Sequence, residues 1–104
     1  MSNIVRLGRA SEIPPGTGKV VDAAGRSLAV FNVDGTFCAI DNACTHRGGP
    51  LGEGDLDGEV VTCPLHGARF NVKTGEVLGP PASERARSFS VQLREGEELV
   101  LELD

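Results

Sequence analysis

Two short segments hold the residues of this chain best suited to chemistry: Cys44-Thr45-His46 and Cys63-Pro64-Leu65-His66. Together they contain both histidines and two of the three cysteines, and residues 47–62 separate them. Thiolate sulfur and imidazole nitrogen suit zinc or iron–sulfur centres, whereas magnesium and calcium prefer oxygen ligands. A structural zinc would draw all four side chains onto one ion, usually from spacings such as C-x2–4-C with H-x3–5-H. Here each segment pairs one cysteine with one histidine. That mixing suits a binuclear centre, in which each segment gives its cysteine to one iron and its histidine to the other. The bland alternative is a set of core cysteines with histidines satisfied by ordinary hydrogen bonds.

The stretches flanking these segments read as β-structure. Runs over 4–7, 19–21, 27–33 and 36–40 are separated by turn signals, with Asp34-Gly35 marking a tight hairpin. Phe89, Val91 and Leu93 alternate with Ser88, Ser90 and Gln92. Leu99, Leu101 and Leu103 continue that period beyond Glu95-Gly96, as half-buried antiparallel strands do. Fourteen glycines and six prolines interrupt the chain too often for long helices. The expectation is an all-β protein, an antiparallel sandwich or partly open barrel. Over 42–82 the apolar runs shrink while glycine, proline, cysteine and histidine concentrate. This stretch is expected to be an inserted loop-rich lobe with short strands at 59–62 and 69–72, set on a scaffold of about 1–41 and 83–104 within one domain, 1–104. A lobe so poor in large apolar side chains needs another source of order. Metal ligation supplies one, because binding free energy becomes folding free energy when the ligands are disordered without the ion.

The pattern C-x-H, a spacer of fifteen to seventeen residues, then C-x2-H resembles the Rieske iron–sulfur family. The likeness extends through Cys44-Thr45-His46-Arg47-Gly48-Gly49-Pro50-Leu51 and Cys63-Pro64-Leu65-His66-Gly67. It implies the family's all-β fold and one Rieske-type [2Fe-2S] cluster, with Cys44 and Cys63 on the inner iron. His46 and His66 would hold the outer iron, their ring edges toward solvent or a partner. Family members from quinol-oxidising complexes join an extra cysteine from each loop in a disulfide, where this chain has Gly49 and Leu65. They also carry a serine and a tyrosine hydrogen-bonded to sulfur, where this chain has Ala68 and Phe70. Losing those hydroxyls lowers the expected potential toward the bottom of the Rieske range. In size and in lacking the disulfide, the chain resembles the ferredoxins of bacterial aromatic-ring oxygenase systems. That resemblance implies an electron shuttle rather than an enzyme, fed by an NAD(P)H-dependent flavoprotein ferredoxin reductase and delivering single electrons to a terminal Rieske oxygenase. One rival is a Rieske-like small subunit of a larger reductase, such as assimilatory nitrite reductase. The other is a structural zinc module, distinguished by its metal content.

Bulk properties narrow the partners. Fifteen acidic residues against ten basic ones give a net charge of −5, the wrong sign for gripping a phosphate backbone. No apolar run approaches membrane-spanning length, and Arg6 and Arg9 fall where a signal peptide would need an apolar centre. Three cysteines are too few for a disulfide framework. The expectation is a soluble, cytoplasmic monomer with no nucleic-acid or membrane partner. Cys38, inside an apolar run, reads as inert packing. Arg47 reads equally as a docking contact or a solvated side chain. Gly48, Gly49 and Gly67 are expected to let backbone approach the metal centre and give amide donors to sulfur. Gly79-Pro80-Pro81-Ala82 resembles the loop that covers the cluster in this family. Glu53, Asp55, Asp57 and Glu59 read as a solvated acidic run, with a docking face the alternative.

Overall fold

Runs of β-branched and apolar residues punctuated by glycine turns become ten strands among the described residues. The computed structural model describes residues 3–23, 25–42, 50–65, 67–79 and 85–103. The strands are β1 (Asn3–Arg9), β2 (Gly18–Ala23), β3 (Arg26–Val33), β4 (Thr36–Asp41), β5 (Asp55–Asp57), β6 (Val60–Thr62), β7 (Arg69–Asn71), β8 (Val77–Gly79), β9 (Ser88–Arg94) and β10 (Glu98–Leu103). Short 3-10 turns occupy Ala10–Glu12 and Leu51–Glu53, and the described residues contain no α-helix. Six strands form one sheet in the order β1-β10-β9-β4-β3-β2, and its edges β1 and β2 touch, so the sheet curls into a nearly closed barrel. Four strands, β5-β6-β7-β8, form a second sheet inserted between β4 and β9. All pairings are antiparallel.

The β3–β4 hairpin turns at Asp34 and Gly35, both at positive φ (53° and 92°), the primed geometry that matches the twist of the flanking strands. Asn32 secures that corner: its Oδ1 accepts the Gly35 N–H and its Nδ2 donates to the Ile13 carbonyl, each at 2.7 Å.

β3 is the wall between two cores. Residues 28–32 are all buried, and alternate side chains point to opposite faces. Leu28 and Val30 pack inside the barrel with Leu7, Ile13, Ala39, Leu99 and Leu101. Ala29 and Phe31 pack on the other side with Cys38, Ile40, Leu51, Val61, Phe70 and Val72. Fully burying a side chain such as Phe31 or Phe70 stabilises the fold by about 1.5–3 kcal/mol.

Several details depart from the sequence reading. β5 and β8 were not expected: β5 is Asp55-Leu56-Asp57, whose acids disfavour a strand, yet Leu56 packs on the second core and the backbone pairs with β6. The alternation in β9 and β10 is imperfect, since Leu93 is exposed while Val100 is buried along with Leu99 and Leu101.

Candidate metal centre

Cys63 follows β6 and opens the segment Cys63-Pro64-Leu65-His66-Gly67. The ends of this segment are closed by main-chain bonds: Cys63 N–H donates to the Ala68 carbonyl (2.7 Å), and Gly67 N–H donates to the Cys63 carbonyl (3.0 Å). Gly67 sits at φ +75° with open space where a side chain would be, so the turn's conformation demands the glycine. Its amide is occupied by the Cys63 carbonyl, which corrects the expectation that Gly67 donates to sulfur. Cys63 is 2% exposed, packed with Val61, Ala68 and Phe70. Two residues along, Leu65 is 63% exposed. One tight turn thus presents a buried sulfur inward and an apolar side chain outward.

Cys44, His46 and His66 lie outside the described residues, as do Arg47, Gly48, Gly49, Pro80, Pro81 and Ala82. Of the four candidate ligands only Cys63 is described, and no three potential metal ligands cluster among the described residues. The chemistry of its buried sulfur fits a thiolate-bound metal centre.

The residues that hold the other segments were missed by sequence reasoning. Asn42, 9% exposed, follows β4 and meets the chain again beyond the first segment: its carbonyl accepts Leu51 N–H and its Oδ1 accepts Gly52 N–H, both at 2.8 Å. On the far side of residues 80–84 in the sequence, Ala86 N–H donates to the Gly75 carbonyl (2.8 Å) and the Arg87 carbonyl accepts Asp41 N–H (2.9 Å). Gly75 lies at φ +80°, and a Cβ there would run into the Ala86 carbonyl. An asparagine preceding a Cys-x-His segment, and a Thr-Gly turn, were the available signals.

Asn71 organises the turn before β8. Its Oδ1 accepts the N–H groups of Lys73 (2.8 Å) and Thr74 (3.2 Å), and its Nδ2 donates to Glu59 Oε1 at 2.8 Å. The Asn71 bond, with Lys73 close by, holds the Glu59 carboxyl below its ordinary value. Glu59 is exposed, as are Glu53, Asp55 and Asp57, but its bonds to Asn71 and Lys73 tie it to the lobe's own framework. Cys38 is 7% exposed within the core between the sheets; burial pushes its thiol up, Lys73 opposes that and Glu59 adds to it. It packs as an inert residue.

A nearly closed antiparallel barrel with an inserted sheet, two of whose strands are joined by a thiol-bearing turn, defines a small all-β protein. The sequence matches the Rieske [2Fe-2S] domain over residues 3–90, and the chain belongs to that family. It carries one Rieske-type [2Fe-2S] cluster. The chain is 43% identical over 89 residues to a protein named Ferredoxin CarAc from Metapseudomonas resinovorans, covering 85% of this chain and 83% of that one. It is 40% identical over 92 residues to the biphenyl dioxygenase ferredoxin subunit of Pseudomonas sp. (strain KKS102), covering 88% and 84%. Among solved structures it resembles a chain in the complex of reduced oxygenase and oxidized ferredoxin in carbazole 1,9a-dioxygenase, with a TM-score of 0.87, 39% identity, and 94% and 92% coverage. Likeness to ferredoxins along most of both chains makes this an electron carrier rather than an enzyme. Among the described residues, no helix is long and apolar enough to cross a membrane.

Proposed function

We propose that this chain is the low-potential Rieske ferredoxin of an aromatic-ring oxygenase system. It takes single electrons from an NAD(P)H-dependent flavoprotein reductase and passes them to a terminal Rieske oxygenase, working as a cytoplasmic monomer. In this reading residues 1–104 are one domain, a scaffold of about 1–41 and 83–104 carrying a lobe of about 42–82. Cys44 and Cys63 would hold the inner iron, and His46 and His66 the outer one. When bound, a cluster of this kind supplies reversible one-electron chemistry.

The observation that carries the reading is the Cys63 turn. Its sulfur is buried while Leu65, two residues on, is largely exposed, so one short piece of backbone joins the dry interior to the surface a partner would meet. Ala68, Phe70 and Val61 exclude water from the sulfur's inner side. Leu65 and the exposed Pro64 offer a small apolar contact, suited to a transient partner rather than a permanent subunit. An oxygenase partner is supported by the names of the relatives and by the solved oxygenase–ferredoxin complex. A low potential is supported by Ala68 and Phe70, both fully buried and both without a hydroxyl to give to sulfur.

The reading is tested on purified protein. Metal analysis is expected to find two irons and two labile sulfides per chain, and the reduced protein a paramagnetic signal of low average g value. Voltammetry should give a midpoint of roughly −150 mV, changing little with pH near neutrality. A midpoint above about +100 mV at pH 7 contradicts the low-potential assignment. NAD(P)H with a flavoprotein reductase should reduce the chain, and a terminal Rieske oxygenase should reoxidise it.

A further inference from the structure

Asn42 immediately precedes residues 43–49 in the sequence, and beyond them the N–H groups of Leu51 and Gly52 both donate to it. Beyond its two bonds to Leu51 and Gly52, it is fixed to the start of β3: its N–H donates to the Ser27 carbonyl (3.0 Å) and its Nδ2 to Ser27 Oγ (3.1 Å). The far end has little room to adjust. A Cβ on Gly52 would lie 2.7 Å from Val20 Cγ2 and 3.1 Å from Asn42 Oδ1, and Leu51 is fully buried in the core between the sheets. The side-chain amide is used in both directions, accepting from Gly52 and donating to Ser27. Cys44 follows two residues later and His46 four.

We propose that Asn42 is a positioning residue for the first ligand segment. Its amide fixes the distance between Asn42 and Gly52, the described residues on either side of this segment, and through that spacing bears on how Cys44 and His46 serve as ligands. This rests on the ligand assignment made under Proposed function. Alanine at 42 would leave the buried Gly52 N–H without its acceptor and free one end, while the main-chain bond to Leu51 remains. Aspartate would keep the acceptor, lose the donation to Ser27 and add a negative charge at a buried position.

The test compares holoprotein carrying Asn42→Ala, Asn42→Asp or Leu99→Val, read by the g values of the reduced protein and the rate of iron transfer to a chelator. Leu99 belongs to the barrel core, so its variant reports what a general loss of stability does. Asn42→Ala is expected to release iron about tenfold faster than Leu99→Val, with displaced g values. Asn42→Asp should fall between Asn42→Ala and the wild type in release rate. Wild-type g values in Asn42→Ala, with iron release no faster than in Leu99→Val, would overturn the proposal. If Asn42→Ala does not fold, Ser27→Ala takes its place with a smaller shift in the same direction, and no change in either Ser27→Ala or Asn42→Asp would overturn it. Cys44→Ser or His46→Ala protein that keeps the wild-type signal overturns the ligand assignment and this inference together. Loss of the signal in those two variants, with Asn42→Ala unmoved, overturns this inference alone.

Discussion

The barrel and the inserted sheet are both antiparallel, yet they reach order by different routes. Barrel strands run six to eight residues, and most pair along nearly their whole length around an interior of Leu28, Val30, Leu99 and Leu101. The lobe's four strands have three residues each, below the usual strand length and too short to stand alone. Its core is completed by Ala29, Phe31, Cys38 and Ile40 from the outer face of β3 and β4. Asparagine side chains take over where ladder bonds stop, and Gly54 and Gly75 let backbone lie directly on backbone, against the carbonyls of Thr62 and Ala86. The lobe is thus ordered by its neighbour and by polar hubs, and the ligand assignment proposed above adds a dependence on metal.

The largest expected effect breaks that last dependence. Cys63→Ala should reduce iron from two per chain to almost none. Amide exchange should then show the lobe, at Val61 and Phe70, losing protection while β9 and β10 keep theirs. Equal loss in both sheets would mean that the barrel also depends on the metal.

Next is the shared core. Phe70→Ala should cost about 3–5 kcal/mol in urea unfolding, and, because its neighbours include Phe31 and Ile40, barrel and lobe should still unfold in one transition. Two separated transitions would show the lobe to be independent.

Gly75→Ala is expected to cost about 1–3 kcal/mol, since φ +80° and the Ala86 carbonyl both oppose a side chain. Limited proteolysis should find residues 80–87 more readily cut, with the barrel intact.

Asn71→Ala should be smallest, about 1 kcal/mol at neutral pH, as Lys73 and Thr74 turn their amides to water. It also has a signature in acid. The Glu59 carboxyl is held below its ordinary 4.5 in the folded protein, so its contribution is present above that pH and fades as the pH falls through the lowered folded value. Without Asn71 most of that lowering is gone, and the stability difference between wild type and variant should narrow below about pH 4.5 in a pH series of unfolding curves.

The barrel was readable because its signals are local. Asp34-Gly35 and Glu95-Gly96 announce turns, and continuous or alternating apolar runs announce the strands between them. The candidate ligands were readable because cysteine and histidine are few and their spacing is specific. What stayed hidden depends on distant contacts. Asp55-Leu56-Asp57 is a strand only because β6 lies beside it. Asn42 and Asn71 look like ordinary turn residues until the segments they bind, ten residues away for Gly52 and twelve for Glu59, fold back onto them.

The two-faced burial of β3 constrains protein engineering. Grafting the candidate metal-binding segments onto a foreign β-barrel requires more than the excised stretch between β4 and β9, because Ala29, Phe31, Cys38 and Ile40, part of its hydrophobic filling, stay behind on the host side. A recipient sheet would need small and large side chains in the pattern of Ala29 and Phe31 on its outward surface. Without them the transplant would arrive with its ligand sequence intact and no floor to stand on.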